Sequence, residues 1–404
     1  MKRSSVLMIA SGMLVTLVTV ALARLSFGLI LPPMRQALDL SYEQAGRLGT
    51  ATALGYLALV MVAGALAASR GGRLSILIGL GLATGGFTGL SLATDYRLIL
   101  VLMTVLGFAT AFAYTPLISL FATWFPQRRG LVIGLLNSGV GTGMMTAGWV
   151  VPYLTQTYPD SGWRISWALF AVMGGLATTA GVLFLRNPPR PHSAQAGSMP
   201  SVDRTRVFRN PYVVTVGLIY GIIGMTYIVQ AIFMYSFALD AGVPALTAGR
   251  LAAVMGMLGI VFGPVWGTIS DRLGRANSLM LAVSLAFVST LIPVVAPTLT
   301  SFAAHYLILG VCVTGMFTSS LAASTERVAP HEAPLAVSFV TLFFAGGQLL
   351  GPAGAGALIG STGEFRMTFG ISASLLLVGM LLCIRLIRLK AAAPAMPGRD
   401  LRAG

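Results

Sequence analysis

Acidic residues are scarce in this chain: eleven in 404 positions, none of them clearly inside a long apolar run. That excludes a buried membrane carboxylate, the group on which a cation carrier or a carboxylate-based proton site depends. Histidine is scarcer still, with His192, His305 and His331 far apart along the chain. So small and scattered a set offers neither metal-ligand spacing nor a nucleophile–base pair, so no enzymatic chemistry, metal or cofactor is expected. The two cysteines, Cys312 and Cys383, both sit in apolar stretches, which excludes a disulfide framework and a thiolate metal site. Charged residues make up 9% of the chain against 56% hydrophobic, with a mean hydropathy of +0.85. A soluble chain of this length does not have that composition.

In place of charge the chain has twelve apolar runs, each long enough to cross a bilayer. They lie near 6–31, 44–68, 74–94, 97–121, 131–153, 163–185, 212–238, 246–269, 276–296, 300–322, 335–359 and 365–389. The connections are short, so no room remains for a soluble catalytic domain. The expected fold is an all-α integral membrane protein of twelve transmembrane helices. With the N-terminus on the cytoplasmic side, the chain ends and the even-numbered connections carry nineteen Lys and Arg residues, Arg70, Arg73, Arg128, Arg272, Arg275 and Arg327 among them. The other side holds six: Arg35, Arg47, Arg97, Arg164, Arg250 and Arg366. This bias puts both termini in the cytoplasm of a cell whose inner membrane the chain spans. It also accounts for the net charge of +15 without a nucleic-acid partner. Anionic lipid headgroups are sufficient company for such loops.

One cation breaks the pattern. Arg24 is the single formally charged residue clearly inside a run, VLMIASGMLVTLVTVALARLSFGLILPP. A guanidinium at that depth costs roughly 2.5–3.5 kcal/mol on insertion scales, so it faces a wet cavity or a partner. Lys2, Arg3, the apolar stretch and Ala21-Leu22-Ala23 together imitate a cleavable secretory signal. Cleavage there would leave eleven spans and break an internal repeat, so the run is read as a span.

That repeat organises the chain. Ala45-Gly46-Arg47-Leu48 recurs as Ala248-Gly249-Arg250-Leu251, 203 residues later, each time at the start of a run, and Gly64 recurs as Gly267. The fifth run aligns with the eleventh at an offset of 204, Gly134 with Ser338, Asn137 with Thr341 and Gly143 with Gly347. Two six-helix halves therefore repeat in the same order: 1–185 and 212–390, joined by 186–211 and followed by a tail, 391–404. The joining stretch is rich in Pro, Ser and Arg and reads as a flexible cytoplasmic connector. Parallel halves with a midplane site between them are the layout of a rocking carrier.

Over its full length the chain resembles the major facilitator superfamily. The sharpest match is Gly267-Thr268-Ile269-Ser270-Asp271-Arg272-Leu273-Gly274-Arg275, that superfamily's cytoplasmic loop motif between spans eight and nine. The resemblance implies that Asp271, Arg272 and Arg275 make charge and helix-end contacts that brace the outward-facing state, in keeping with helix-end electrostatics. The first-half copy has Ala68 where the acid is expected. More finely, Ala23 to Met34, Leu40 to Gly46 and Ala53 to Leu57 are similar to the YbfB/YjiJ-type branch. Trp124-Phe125-Pro126-Gln127-Arg128-Arg129-Gly130 is similar to monocarboxylate and oxalate/formate porters, although span eight lacks the Asp/Arg pair many of those carry. Span five also lacks the Gly-Pro pair of drug antiporters.

The resemblance implies a cavity lined by spans 1, 4, 7 and 10. Span seven offers Tyr220, Tyr227 and Gln230, span ten His305, span five Asn137, and span eleven Gln348; Phe108, Phe112 and Tyr114 are candidates for an aromatic wall. A cationic cavity without an acid suits a small organic anion such as a carboxylate, symported with a proton through His305 or exchanged for a counter-anion. The expected protein is a monomeric secondary transporter of such a solute. The alternative is a proton-coupled transporter or exporter of a neutral or amphipathic compound, with Arg24 structural.

Overall fold

Backbone polar groups in hydrocarbon must be bonded within their own segment, so each apolar run closes as helix. The structure, a computed structural model, describes residues 3–188, 204–329 and 332–392. Among them are twelve helical spans, 19 to 30 residues long, apolar enough to cross a membrane. The first, α1, runs in three pieces, Arg3–Thr16, Leu17–Leu25 and Phe27–Ala37. The rest of the first half is α2 (Tyr42–Arg70), α3 (Gly72–Leu92), α4 (Tyr96–Trp124), α5 (Arg129–Thr157) and α6 (Gly162–Phe184). A short helix, Arg204–Phe208, leads into α7 (Pro211–Asp240), α8 (Ala245–Leu273), α9 (Arg275–Val295), α10 (Leu299–Ser324), α11 (Ala333–Thr362) and α12 (Phe365–Ala392).

Local chemistry sets the ends. Ser41 and Gln44 exchange side-chain and backbone hydrogen bonds in a capping box that starts α2. Asp95 accepts from the amides of Arg97 and Leu98 at α4, and Asn210 from those of Tyr212 and Val213 at α7. The breaks from α2 to α3 and from α8 to α9 fall at Gly71 (φ 98°) and Gly274 (φ 82°), again 203 residues apart. Both angles lie where a side chain would be strained. The first span extends past the expected end, through Pro32 and Pro33, to Ala37.

The middle piece of α1 is π-helical. Its wider turn ends where the Ser26 amide bonds the Ala21 carbonyl at 2.8 Å, a five-residue step. The carbonyls it exposes find hydroxyl donors: Ser26 Oγ bonds Leu22 O at 2.8 Å, and Thr110 Oγ1 of α4 bonds Thr19 O at 2.6 Å. Such π turns are frequent at functional positions, and this one carries Arg24.

The halves meet at one end of the bundle and part at the other. At the end away from the chain termini, α2 starts against the end of α11, and α8 starts against the end of α5. A methyl group on Gly46 would lie 2.3 Å from the Pro352 carbonyl oxygen, and one on Gly249 2.5 Å from that of Gly148. The repeated Ala-Gly-Arg-Leu stretches are therefore the two seams between the halves. The main apolar core runs through this end, joining first-half residues such as Phe27 and Met34 to Phe233, Phe302 and Phe369. A second core, around Val216, Leu279 and Met316, belongs to the terminus side of the second half alone. Toward that side Gly64, Gly134 and Gly267 face open space.

The start of the joining segment is less free than its composition suggests. Asn187 Oδ1 accepts from the Arg73 amide at 2.9 Å, and Trp124 Nε1 donates to the Arg186 carbonyl at 2.8 Å, which ties it to the first half. Residues 189–203 of that segment, His192 and His331, and the tail beyond 392 lie outside the described residues.

Candidate functional site

The widened turn of α1 places Arg24 at the middle of the bundle, between the halves. Its Nη2 donates to Oε1 of Gln348 on α11 at 2.8 Å, so the guanidinium bridges the two halves. Its Cζ lies 5.2 Å from the centre of the Tyr56 ring, and Tyr227 is within its electrostatic reach. Among the described residues no carboxylate pairs with it; the ion pairs there are Arg47 with Glu43 and Lys390 with Glu326. A guanidinium has five donors and Gln348 takes one, so the group remains equipped to hold an acceptor in a bidentate grip.

Below Arg24, on the side where the halves part, lies an aromatic tier. Tyr220 stacks on Phe344 with ring centres 4.5 Å apart, and Phe317 meets Tyr227 edge-on at 5.2 Å and Phe344 at 5.6 Å. Across from them Tyr114 donates to Asn137 Oδ1 at 3.2 Å. Above Arg24, on the closed side, a small cleft of about 30 Å³, room for a group the size of one or two waters, is lined by Leu25, Met144, Tyr227, Gln230, Tyr306 and His305, among others.

Of the residues singled out from the sequence, Arg24 and Tyr227 come together, with Tyr220 and Asn137 toward the open side. Gln230 and His305 belong instead to the closed-side cleft, both buried and held by α9. Gln348 is the partner of Arg24. Of the proposed aromatic wall, Tyr114 takes part, whereas Phe112 is buried in packing. Tyr56, Phe317 and Phe344 were not singled out as site residues. The aromatic pair has no sequence signal that separates it from core phenylalanines, because only helix rotation turns it inward.

The loop motif lies at the terminus end of α8. Asp271 and Arg272 are exposed, and among the described residues Asp271 has no ion-pair partner. Arg275 donates to the Ala322 carbonyl at 2.8 Å and to Thr325 Oγ1 at 3.3 Å. Gly274 supplies the turn, and Gly267 has nothing opposite it. Nearby, Glu326 accepts from Tyr212 at 2.5 Å and pairs with Lys390 at 2.7 Å, which ties the end of α12 to the α10–α11 loop. Burial works to raise the Glu326 carboxyl, but hydrogen bonds from Lys390 and Tyr212 and the charges of Lys390 and Arg275 outweigh it, leaving it below the ordinary carboxylate value.

The family model of the Major Facilitator Superfamily matches residues 13–309 and 262–400. Among curated proteins, the chain is 27% identical over 380 residues to monocarboxylate transporter 11 of Homo sapiens, covering 90% of this chain and 79% of that one. It is 26% identical to a probable nitrate/nitrite antiporter, NarK1, of Thermus thermophilus over 62% of this chain and 58% of that one. Among solved structures, the fold matches a bacterial homologue of the human lysosomal transporter Spinster, in an inward-facing and unoccupied conformation. The TM-score there is 0.80 at 16% identity, over 98% of this chain and 100% of that one.

Proposed function

This chain belongs to the Major Facilitator Superfamily, as a secondary transporter of small organic substrates and not an enzyme, and on that premise we propose that it carries a small organic anion, such as a carboxylate, by alternating access. The observation that supports this most is the Arg24–Gln348 bridge: a mid-membrane cation spans the two halves with no carboxylate beside it. A bound anion would complete the coordination of Arg24 while touching Tyr56 and Tyr227, so binding would bear on both halves at once. The relatives named for monocarboxylate and for nitrate or nitrite fit a cationic site. Tyr220 and Asn137 lie on the route from the open side.

The lysine and arginine bias supports cytoplasmic termini, in the inner membrane, so the conformation parted at the terminus end is inward-facing. In it Asp271 is unpaired among the described residues, which agrees with a loop motif (Gly267, Asp271, Arg272, Gly274, Arg275) that braces the opposite state. A proton or a counter-anion supplies the coupling, and the monomer contains the whole pathway.

The test is ligand affinity and proteoliposome flux with Arg24 variants. Arg24→Lys keeps weak anion binding, because charge survives without the planar fork. Arg24→Gln removes the charge-assisted contact, a loss of about 2–5 kcal/mol, or thirtyfold and more in affinity. Wild-type affinity in folded Arg24→Gln protein would end the anion reading.

A further inference from the structure

The closed-side cleft has a chemical character that α9 imposes on it. Its lining is mostly apolar, with Leu25, Leu29, Met144, Met234 and Met255; beside the rings of Tyr227, Tyr235 and Tyr306, Gln230 enters it from α7 and His305 from α10. Gln230 is 5% exposed and His305 wholly buried, and each is anchored by one of two consecutive α9 residues.

Those anchors decide which atoms are left over. Thr290 Oγ1 donates its proton to the Ala286 carbonyl at 2.8 Å, so toward Gln230 it can only accept. It therefore takes the Gln230 Nε2–H at 3.0 Å, and the amide cannot be turned over. Gln230 Oε1 is buried without a partner. His305 Nδ1 lies 2.9 Å from the Ser289 carbonyl oxygen, which can only accept, so Nδ1 carries the proton. Ser289 Oγ, 3.0 Å from Nδ1, turns its own proton to the His305 carbonyl at 3.2 Å. In the neutral ring Nε2 is then a bare acceptor, and it too is buried without a partner. Two buried acceptors that none of the surrounding donors, the tyrosine hydroxyls included, bonds to are a costly arrangement unless something that donates enters the cleft.

We propose that this cleft is a subsite for a hydrogen-bond-donating group, a hydroxyl or an amine, on the far end of the substrate from its carboxylate. Tyr227, within electrostatic reach of Arg24, is also in the cleft wall, and Leu25, next to Arg24 in sequence, lines it too, so the cleft adjoins the cation and one substrate would address both. The apolar side chains between them take its hydrocarbon body. The substrate class so defined is a hydroxy- or amino-bearing carboxylate with an apolar middle, in preference to a plain carboxylate of the same length. The carboxylate end of this inference rests on the anion reading of Arg24; the donor end does not.

Matched probes separate the two. Binding to the purified wild-type chain is measured by thermal shift and calorimetry for para-hydroxyphenylacetate against phenylacetate, and for hydroxyhexanoate against hexanoate. Para-cresol serves as a donor without a carboxylate. The hydroxylated acid of at least one pair binds about tenfold more tightly than its partner, the worth of one well-made buried hydrogen bond. In Gln230→Met/His305→Phe the preference disappears, the affinity ratio within each pair falling to about one whatever the affinity of the plain acid. In Ser289→Ala/Thr290→Val it weakens, since the acceptors lose their orientation. Equal wild-type affinities within both pairs, each still lost in Arg24→Gln, would leave the acceptors to water and overturn the subsite while keeping the anion site. Binding of para-cresol but of no acid would overturn the anion reading and keep the subsite. The wild-type comparison stands even if the cleft variants fail to fold.

Discussion

A single methyl group at either repeat seam should push this carrier into its other conformation. In Gly46→Ala the new Cβ would sit 2.3 Å from the Pro352 carbonyl oxygen and 3.0 Å from Gly356 Cα. Both atoms are backbone, so no side chain can swing aside, and α2 and α11 must separate by about 1 Å to restore ordinary contact. Overpacking of this kind costs about 1–3 kcal/mol. The cost falls on the state in which this end is closed and is relieved when the seam opens. The ratio of the two states should therefore move by about 5- to 150-fold toward the alternative. Gly249→Ala should act in the same direction, because its Cβ would meet Pro152 Cγ at 2.3 Å and the Gly148 carbonyl at 2.5 Å. Distances between spin labels read the shift directly. Introduced cysteines at Thr94 and Thr362 report on the closed end, and at Gln127 and Asn277 on the open end. Cys312 and Cys383 are buried and do not compete for label. The first distance should lengthen and the second shorten. Gly64→Ala, whose Cβ meets nothing within 4 Å, should leave both alone. Unchanged distributions in folded Gly46→Ala protein would refute the assignment of this seam as the closed gate.

Asp271→Asn should shift the same label distances the opposite way, toward the present conformation, and slow flux without unfolding the chain. Its carboxylate has no ion pair to lose here among the described residues, so any effect must come from the other state; unchanged populations would remove the latch role. The Glu326–Lys390 tie predicts a pH effect on stability. A carboxyl held below its unfolded value contributes above that unfolded value, and the contribution is lost as pH falls through the lower folded one. Melting temperature should therefore fall on acidification below the ordinary carboxylate range, and Lys390→Met should lose about 1 kcal/mol at neutral pH and flatten that dependence. An unaltered acid limb in Lys390→Met would disprove the pairing.

Most of the architecture was legible in the residue order. All twelve spans are where the apolar runs lie, because a segment in hydrocarbon has no alternative to internal hydrogen bonding. The 203-residue repeat gave two halves in the same order, but that its Ala-Gly-Arg-Leu copies form the seams was decided by packing, where Gly46 meets Pro352 and Gly249 meets Gly148. Arg24 stood out because charge at that depth is costly. The identity of its partner did not: Gln348 is 324 positions away, and only the crossing of α1 with α11 brings the two amino acids together. The same holds for Phe317 and Phe344, which look like lipid-facing or core residues until helix rotation turns them inward.

His305 and Gln230 show the division most clearly. The sequence offered Gln230 as a cavity residue with Tyr220 and Tyr227, and His305 as a proton route, but not which of their atoms is free. Which of their atoms is spoken for depends on Ser289 and Thr290 of another helix, and on where those hydroxyl protons point. Hydropathy acts on a segment through its own composition and so can be read along the chain. Hydrogen-bond direction is settled between neighbours in space, so donor and acceptor character in the cleft was decided only when the helices packed.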